Sequence, residues 1–541
     1  MESTETRSGN YTADLLGNIK SHLASLQGYD VMALELLQNA DDAKADEVHF
    51  DICDDGLYIY NNREFSYCGD LNGECLWLTN DGYACDFHRI TNVGSGGKAA
   101  KSENIGRFGI GFVSSYQVTD NPQITSSGLT LTLQPEIASW KYTPSPDTTG
   151  TRFFLPWAKN PKSQGRMRLA TGHITDKLIE QLALEFQQSI KKSLLFLKHL
   201  RKAIVSRNGA MLLSCSIERV GAETVRLIHA PDDYSEDWLL LSGDATEAAE
   251  QLYSRSEILL QQNRSPKFTV AIRKTPETLD EGLLYAFLPT AQASGLPLHI
   301  NGDFFPETDR KEVVFKGNQY QQHWNEMLIH ESASLLANNS KFLLEELGDQ
   351  AFWTLIQRAF RFTSSQLGYP DIYEAYWKKL KDKLFNEAIV RTSDGSLELA
   401  KFTCITKPGF DSQQQYLLRL LNIRVVDSSL NSYRDVLANL KAQHLSLAIL
   451  VDKLKNRLDF IPAKERTLEA FYSPLWKIIE GLISANSPKS SASEKVSVTR
   501  LQCLSIFLTV NSKPAQLQGC RVLPDTMAIA NFQQGLPGLN L

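Results

Sequence analysis

Cysteine is scarce in this chain, with eight residues in 541. Four of them, Cys53, Cys68, Cys75 and Cys85, fall near one another, but none stands in a C-x-x-C pair and the intervals are irregular. A disulfide framework is excluded on that count, and the four read as free thiols in a reducing compartment. His49, His88 and His299 lie far apart without metal-ligand spacing, and read as core or surface histidines. No run is long and apolar enough to cross a membrane. Residues 1–20 have no apolar core of the signal-peptide kind. A cytoplasmic setting without membrane contact is the expectation. Positive charge is not in excess either: the formal net charge is -6, which gives no global basis for binding nucleic acid.

What is present is an ordinary globular balance, 42% hydrophobic and 22% charged, in a chain too long for one core. Apolar spacing at Leu15, Leu16, Ile19, Leu23 and Leu26 predicts a helix within 11–27. A second helix carries Glu35 and Asn39, with Asp30 as its expected N-cap. Alternating segments at 47–52 and 57–60 flank Asp54-Asp55-Gly56 and predict neighbouring strands. Residues 61–104 are polar and turn-rich, the composition of a lid or a loose loop. A glycine turn entering a helix is expected over 106–116, then strands at 128–133 and 151–155. Residues 175–202 read as one helix or two, and their Lys191, Lys192, Lys198, Arg201 and Lys202 as a solvated face. Strands dominate 203–335 and helices 340–480, and 486–495 is a Ser-rich linker or loop. The expected class is α/β multidomain: an N-terminal α/β sandwich at 1–165, a second α/β domain at 166–335, and a mainly helical region at 336–541.

Two segments carry chemistry. In ELLQNADDA (residues 35–43), Glu35 and Asn39 are one helical turn apart and share a face. A Glu turned toward a core needs a partner or a task, such as orienting or deprotonating a water. The Asn39 amide oxygen suits Mg²⁺, and Asp42 can accept hydrogen bonds near a lid. The alternative is a polar stripe on a surface helix. In the second segment Gly94, Gly96, Gly97, Gly106, Gly109 and Gly111 are densely spaced, so backbone N–H groups can approach an anion. Lys98 and Arg107 add cations within reach of phosphate. The pattern is neither a P-loop nor a dinucleotide fingerprint.

Together these segments resemble the Bergerat-fold ATPases, which include gyrase B, the ninety-kilodalton heat-shock chaperone, histidine kinases and MutL. The resemblance is closest to the sacsin N-terminal ATPase-like family. It rests on ELLQNADDA, on GRFGIGFVSSYQVTD (106–120) and on GLYIYNNREF (56–65). LLYAFLPTAQASGLPLHINGDFFPETDRK (283–311) is similar to that family's middle region. The resemblance spans 10–160 and extends on fewer matches over 170–400.

The resemblance implies a Bergerat-type sandwich that binds ATP with Mg²⁺ and hydrolyses it slowly. It implies Glu35 as general base, Asn39 as the Mg²⁺ ligand and Asp42 as pocket support. Gly94, Lys98, Gly106, Arg107, Phe108, Gly109, Gly111 and Phe112 would form the lid and phosphate cradle. Thr151 would support the adenine site. The adenine-binding Asp of the superfamily is replaced by Asn61, followed by Asn62 and Arg63. An Asn can accept the adenine amino hydrogen, but without charge assistance. From the following domain Arg310, or Lys311 beside it, would reach the γ-phosphate. The alternative for that pair is a surface salt-bridge loop. The implied roles are a chaperone-like or regulatory switch with nucleotide-dependent homodimerisation and a client protein. Two other roles stay open: a non-hydrolysing ATP-sensing scaffold, and a nucleic-acid-directed ATPase with a bacterial anti-phage defence partner.

Overall fold

The Asp54-Asp55-Gly56 turn closes an antiparallel pair, β1 (Glu47–Ile52) and β2 (Gly56–Asn61). Alternation sends Val48, Phe50, Ile52, Leu57 and Ile59 into one core. In the computed structural model the described residues are 14–24, 26–81, 83–91, 111–146, 149–307, 311–317, 319–361, 370–407, 409–483, 497, 499–504, 506–508 and 514–516. The expected Ser-rich linker at 486–495 lies outside them.

The N-terminal half of the sheet adds β3 (Gln123–Ser126), β4 (Leu129–Gln134), β5 (Ser139–Pro144) and β6 (Thr151–Pro156), in the order β1-β2-β6-β3-β4-β5, all antiparallel. Strands β3 and β5 were not expected from the sequence: one is only four residues long, and the other is mostly solvent-facing. The helices are α1 (Leu15–Leu23), α2 (Tyr29–Asp42), α3 (Leu76–Asp81), α4 (Asp86–Thr91), α5 (Gln164–Leu169) and α6 (Asp176–Lys191). Helices α2 and α6 pack together, and Met32, Leu36, Leu37, Ile179, Leu182 and Phe186 share the core of the sheet. The Phe186 ring meets Phe50 edge-on at 5.4 Å. Each such fully buried side chain contributes about 1.5–3 kcal/mol.

Asp30 is not the N-cap of α2. The N-cap position falls two residues earlier, at Gly28, and the Tyr29 and Asp30 N–H groups donate to Glu185 Oε2 of α6 at 3.0 and 3.1 Å. A carboxylate from another helix therefore does the capping, as the positive end of α2 favours. The region 175–202 likewise divides: α6 ends at Lys191 and a 3₁₀ turn covers Leu194–Phe196.

The sheet continues past residue 165 without a break. β7 (Lys202–Arg207) pairs parallel with β1. It is followed by β8 (Ala210–Arg219), β9 (Thr224–Ala230), β10 (Tyr234–Asp244), β11 (Lys267–Thr275), β12 (Leu283–Ala286), β13 (Leu288–Ala293) and β14 (His299–Gly302). The result is one 14-stranded sheet. Residues 1–335 with 365–373 form one compact unit, and residues 336–364 with 374–541 form a second. The second unit has its own core, including Leu417, Leu450, Phe471 and Ile478. Its described residues are mainly helical, as expected, with helices that include Ser340–Arg361, Ser412–Leu420, Leu447–Arg457 and Ser473–Ile483. Short strands are added to them, with Ala388–Arg391 pairing Leu397–Leu399 and Thr403–Ile405 standing between two others. These strands are two to four residues long, too short for alternation to reveal. No helix among the described residues is long and apolar enough to cross a membrane.

Candidate functional site

Glu35 sits on α2 and is buried, only 5% exposed. Gly111, the first residue of a 3₁₀ turn over Gly111–Gln117, lies directly against it: a Cβ on Gly111 would stand 2.0 Å from Glu35 Oε2. Any larger residue at 111 would force the Glu35 carboxylate or the turn to move. The glycine segment and the acidic helix, far apart in sequence, thus meet at one carboxylate. The turn is held in place by Gln117, whose Oε1 accepts the Gly28 N–H at 3.0 Å and whose Nε2 donates to the Leu26 carbonyl at 2.8 Å. Arg166, nearly fully buried, anchors its far end through Asp120 Oδ1 at 2.6 Å and the Gln117 carbonyl at 3.0 Å.

Asn39 lies one turn along α2 from Glu35 and is half-buried, as is Asp42. Their neighbour Asp41 is 1% exposed and does work the sequence reading did not assign to it. Its carboxylate accepts the N–H groups of Lys198, His199 and Leu200 at 3.2, 2.7 and 2.9 Å. It thereby fixes the turn that leads into β7. The only sequence signal was a second Asp in a pair.

At the other side of the sandwich, Asn61 and Thr151 are direct partners across β2 and β6. Asn61 Oδ1 accepts the Arg63 N–H at 3.0 Å. Thr151 Oγ1 donates to the Arg63 carbonyl at 2.6 Å and meets Ser126 Oγ at 3.0 Å. Ser126 in turn accepts the Phe65 N–H at 2.9 Å. Gly150, at φ +65°, is required here, since a Cβ would stand 2.4 Å from the Asn61 carbonyl oxygen. Asn62 points elsewhere. It is exposed, accepts the Asp46 N–H at 3.0 Å and donates to the Asp46 carboxylate at 3.2 Å. β2 ends at Asn61, and the chain bends at Asn62. Phe112 packs against Phe153 with ring centroids 5.6 Å apart.

A cavity of about 440 Å³ opens beside α2. Its lining includes Glu35, Gln38, Lys192, Arg264, Asp303 and Lys311. Lys311 and Glu35, nearly three hundred residues apart in the chain, border the same space. The backbone at Lys311 is pinned by the Ala291 N–H, which donates to its carbonyl at 2.7 Å. Arg264 and Asp303 form a buried pair at 2.6 Å, and the guanidinium also donates to the Phe304 carbonyl at 3.0 Å while stacking on Phe305 at 3.7 Å. Neither residue was singled out in the sequence. Asn39, Asn61 and Thr151 do not line this cavity. It is the approach to Glu35 from the later strands, not the space beside Asn61.

The segment 92–110 lies outside the described residues, and with it Gly94, Lys98, Gly106, Arg107, Phe108 and Gly109. Arg310 does too. The remaining basic cluster is dispersed as expected of a solvated face: Lys191 pairs Asp232 at 3.6 Å, Lys202 pairs Glu47 at 3.2 Å, and Lys198 lies over the Phe287 ring. His299 is a core residue, stacked on Trp238 at 5.0 Å. His88 is not a bystander: it converges with three of the scattered cysteines.

The Sacsin domain family matches residues 12–145. Human (Homo sapiens) sacsin is 24% identical over 407 aligned positions, covering 58% of this chain and 8% of sacsin. The chain thus spans about a twelfth of that relative's length. Among solved structures, the N-terminal domain of a DNA repair protein covers 61% of this chain and 99% of its own at 12% identity; its TM-score, 0.31, is too low to bear on fold or function. The matched segment contains α2, β2 and the Gly111 turn, so over the elements that bring Glu35 and Gly111 together the chain is similar to the sacsin family.

Proposed function

We propose that the first unit binds Mg-ATP beside α2 and hydrolyses it slowly as a conformational switch. The observation that carries this reading is the meeting of Gly111 with the buried Glu35 carboxylate, with Lys311 bordering the same space. In this reading Glu35 takes a proton from the attacking water. Asn39 would hold Mg²⁺ through its amide oxygen, and the ion would supply positive charge against the phosphates. Asn61 and Thr151 recognise the base, with Asp42 supporting the pocket. Lys311, with Arg310, offsets charge developing on the γ-phosphate. The glycines, Lys98, Arg107 and Phe108 of 94–109 cover the phosphates. Nucleotide binding would shift an open–closed balance and pair two copies of the chain, with a client protein or defence partner reading the closed state.

Phosphate release tests this. Glu35→Gln is expected to lower turnover by about 10²–10⁴-fold while keeping nucleotide affinity. Unchanged turnover removes Glu35 from the chemistry. A second reading, an ATP sensor that does not hydrolyse, draws on Asn61. Its Oδ1 already accepts the Arg63 N–H, so adenine recognition there is neutral and shared. Tight Mg-ATP binding with no phosphate release would favour it.

A further inference from the structure

The interval Cys68-x₆-Cys75-x₉-Cys85-x₂-His88 has no recognisable metal spacing, yet the chain folds its four ligand atoms to within 4.8 Å of one another. His88 Nδ1 lies 3.2 Å from Cys85 Sγ and 3.5 Å from Cys68 Sγ. Three of the four residues, Cys75, Cys85 and His88, are buried. We propose that Cys68, Cys75, Cys85 and His88 hold one structural zinc ion in a closed tetrahedral site.

The geometry is close to what zinc requires. Zn–S bonds of about 2.3 Å and a Zn–N bond of about 2.0–2.1 Å place tetrahedral ligands about 3.5–3.8 Å apart. The two sulfur–nitrogen distances, 3.2 and 3.5 Å, sit near that edge length, and small side-chain rotations close the rest. The outer partners are also in place. His88 Nε2 faces the Gly73 carbonyl at 3.1 Å. That contact holds the N–H on Nε2 and leaves the Nδ1 lone pair directed at the sulfurs, as metal-ligating histidines are held. Cys75 Sγ accepts the Cys85 N–H at 3.2 Å.

The ligand chemistry selects the metal class. Three thiolates and an imidazole are soft donors that suit zinc and exclude magnesium or calcium as residents. With all four positions supplied by protein, the site is structural, with none left for substrate. Binding displaces the thiol protons to solvent, so affinity falls as pH drops. No disulfide links these residues.

The location gives the ion a task. Residues 62–91 form bends and two six-residue helices, α3 and α4, with few fully buried apolar side chains of their own. Phe65 and Phe87 pack edge-on at 5.4 Å, and Phe65 meets Phe153 of β6 at 5.8 Å. Ser66 N–H and Oγ both donate to Asp86, next to Cys85, at 2.9 and 2.6 Å. Tying Cys68 and Cys75 to Cys85 and His88 therefore fixes the segment that backs Ser126 and Thr151. The zinc site does not depend on the nucleotide reading, and its test uses no nucleotide.

The test is metal content and cobalt spectroscopy on the full chain, purified in reductant without chelator. The expected result is one zinc ion per chain. Cys68→Ala and His88→Ala are expected to lose the zinc, whereas Cys53→Ala and Cys503→Ala keep it. Because a ligand variant can fail to fold, the deciding measurement is made on the wild-type chain. After zinc is stripped, cobalt is expected to give the intense ligand-field bands of a tetrahedral site with thiolate-to-cobalt charge transfer, saturating at one equivalent and abolished by zinc. An octahedral cobalt spectrum, a cobalt spectrum unchanged in Cys68→Ala and His88→Ala, or a Cys75–Cys85 disulfide in the freshly reduced and purified chain would overturn the assignment.

Discussion

Replacing Gly111 by alanine probes the contact on which the role of Glu35 rests. A Cβ at 111 would stand 2.0 Å from Glu35 Oε2 and 3.1 Å from its Cδ. Non-bonded heavy atoms sit about 3.5 Å apart at best, so the carboxylate must retreat by roughly 1.5 Å. It cannot do so by shifting α2, whose Met32, Leu36 and Leu37 are locked in the core. The side chain must leave its rotamer, or the turn at 111 must lift, at about 1–3 kcal/mol of stability. If Glu35 is the base, a displacement above 1 Å costs about 10²-fold in turnover, equivalent to about 2.7 kcal/mol. The partner change is Glu35→Ala, which removes the obstructing oxygen. In that background Gly111→Ala is expected to cost close to nothing, giving a coupling of about 1–3 kcal/mol in a double-mutant cycle. Urea unfolding of the four proteins measures it. Equal cost of Gly111→Ala with and without the Glu35 carboxylate refutes the contact and the reasoning built on it.

Other perturbations have defined outcomes. Arg264→Ala leaves Asp303 buried without its guanidinium, and is expected to lose about 3–5 kcal/mol in denaturant unfolding. Asp41→Ala removes the acceptor of three backbone N–H groups, and a comparable loss of about 3–5 kcal/mol is expected at the urea midpoint. For His299, burial, aided by the charges of Arg273 and Lys192, lowers the protonation of the ring from the ordinary 6.5 to about 3. The unfolded chain therefore takes up a proton below pH 6.5 that the folded chain refuses until about pH 3, so stability falls as pH drops through that window. His299→Gln is expected to flatten the pH dependence of unfolding by up to about 1.4 kcal/mol per pH unit inside it; an unchanged slope would mean the ring is protonated in the folded chain.

What was legible in the sequence was whatever depends on local pattern. The apolar set Leu16, Ile19 and Leu23 faces the core as its spacing predicts, and Asp54-Asp55-Gly56 turns β1 into β2. The motif residues Glu35 and Gly111 meet, and Asn61 and Thr151 fall in register, because the motifs record positions that fold together. What was not legible depends on long-range partners. Glu185 caps α2 from another helix, and Asp41 binds a turn more than 150 residues away. Asn62, just past the end of β2, is taken up by Asp46, sixteen residues before it. The Cys68, Cys75, Cys85 and His88 cluster is set by the path of an irregular loop, which no spacing rule encodes. The later strands, including Leu283–Ala286 and His299–Gly302, join the first sheet instead of closing a separate one.

The central claim is tested most directly by calorimetric titration of Mg-ATP and Mg-ADP into the full chain, beside Asn39→Ala. Saturable binding to the wild type that is lost in Asn39→Ala is the predicted result. No binding to the wild type, or equal binding by Asn39→Ala, would contradict the nucleotide site.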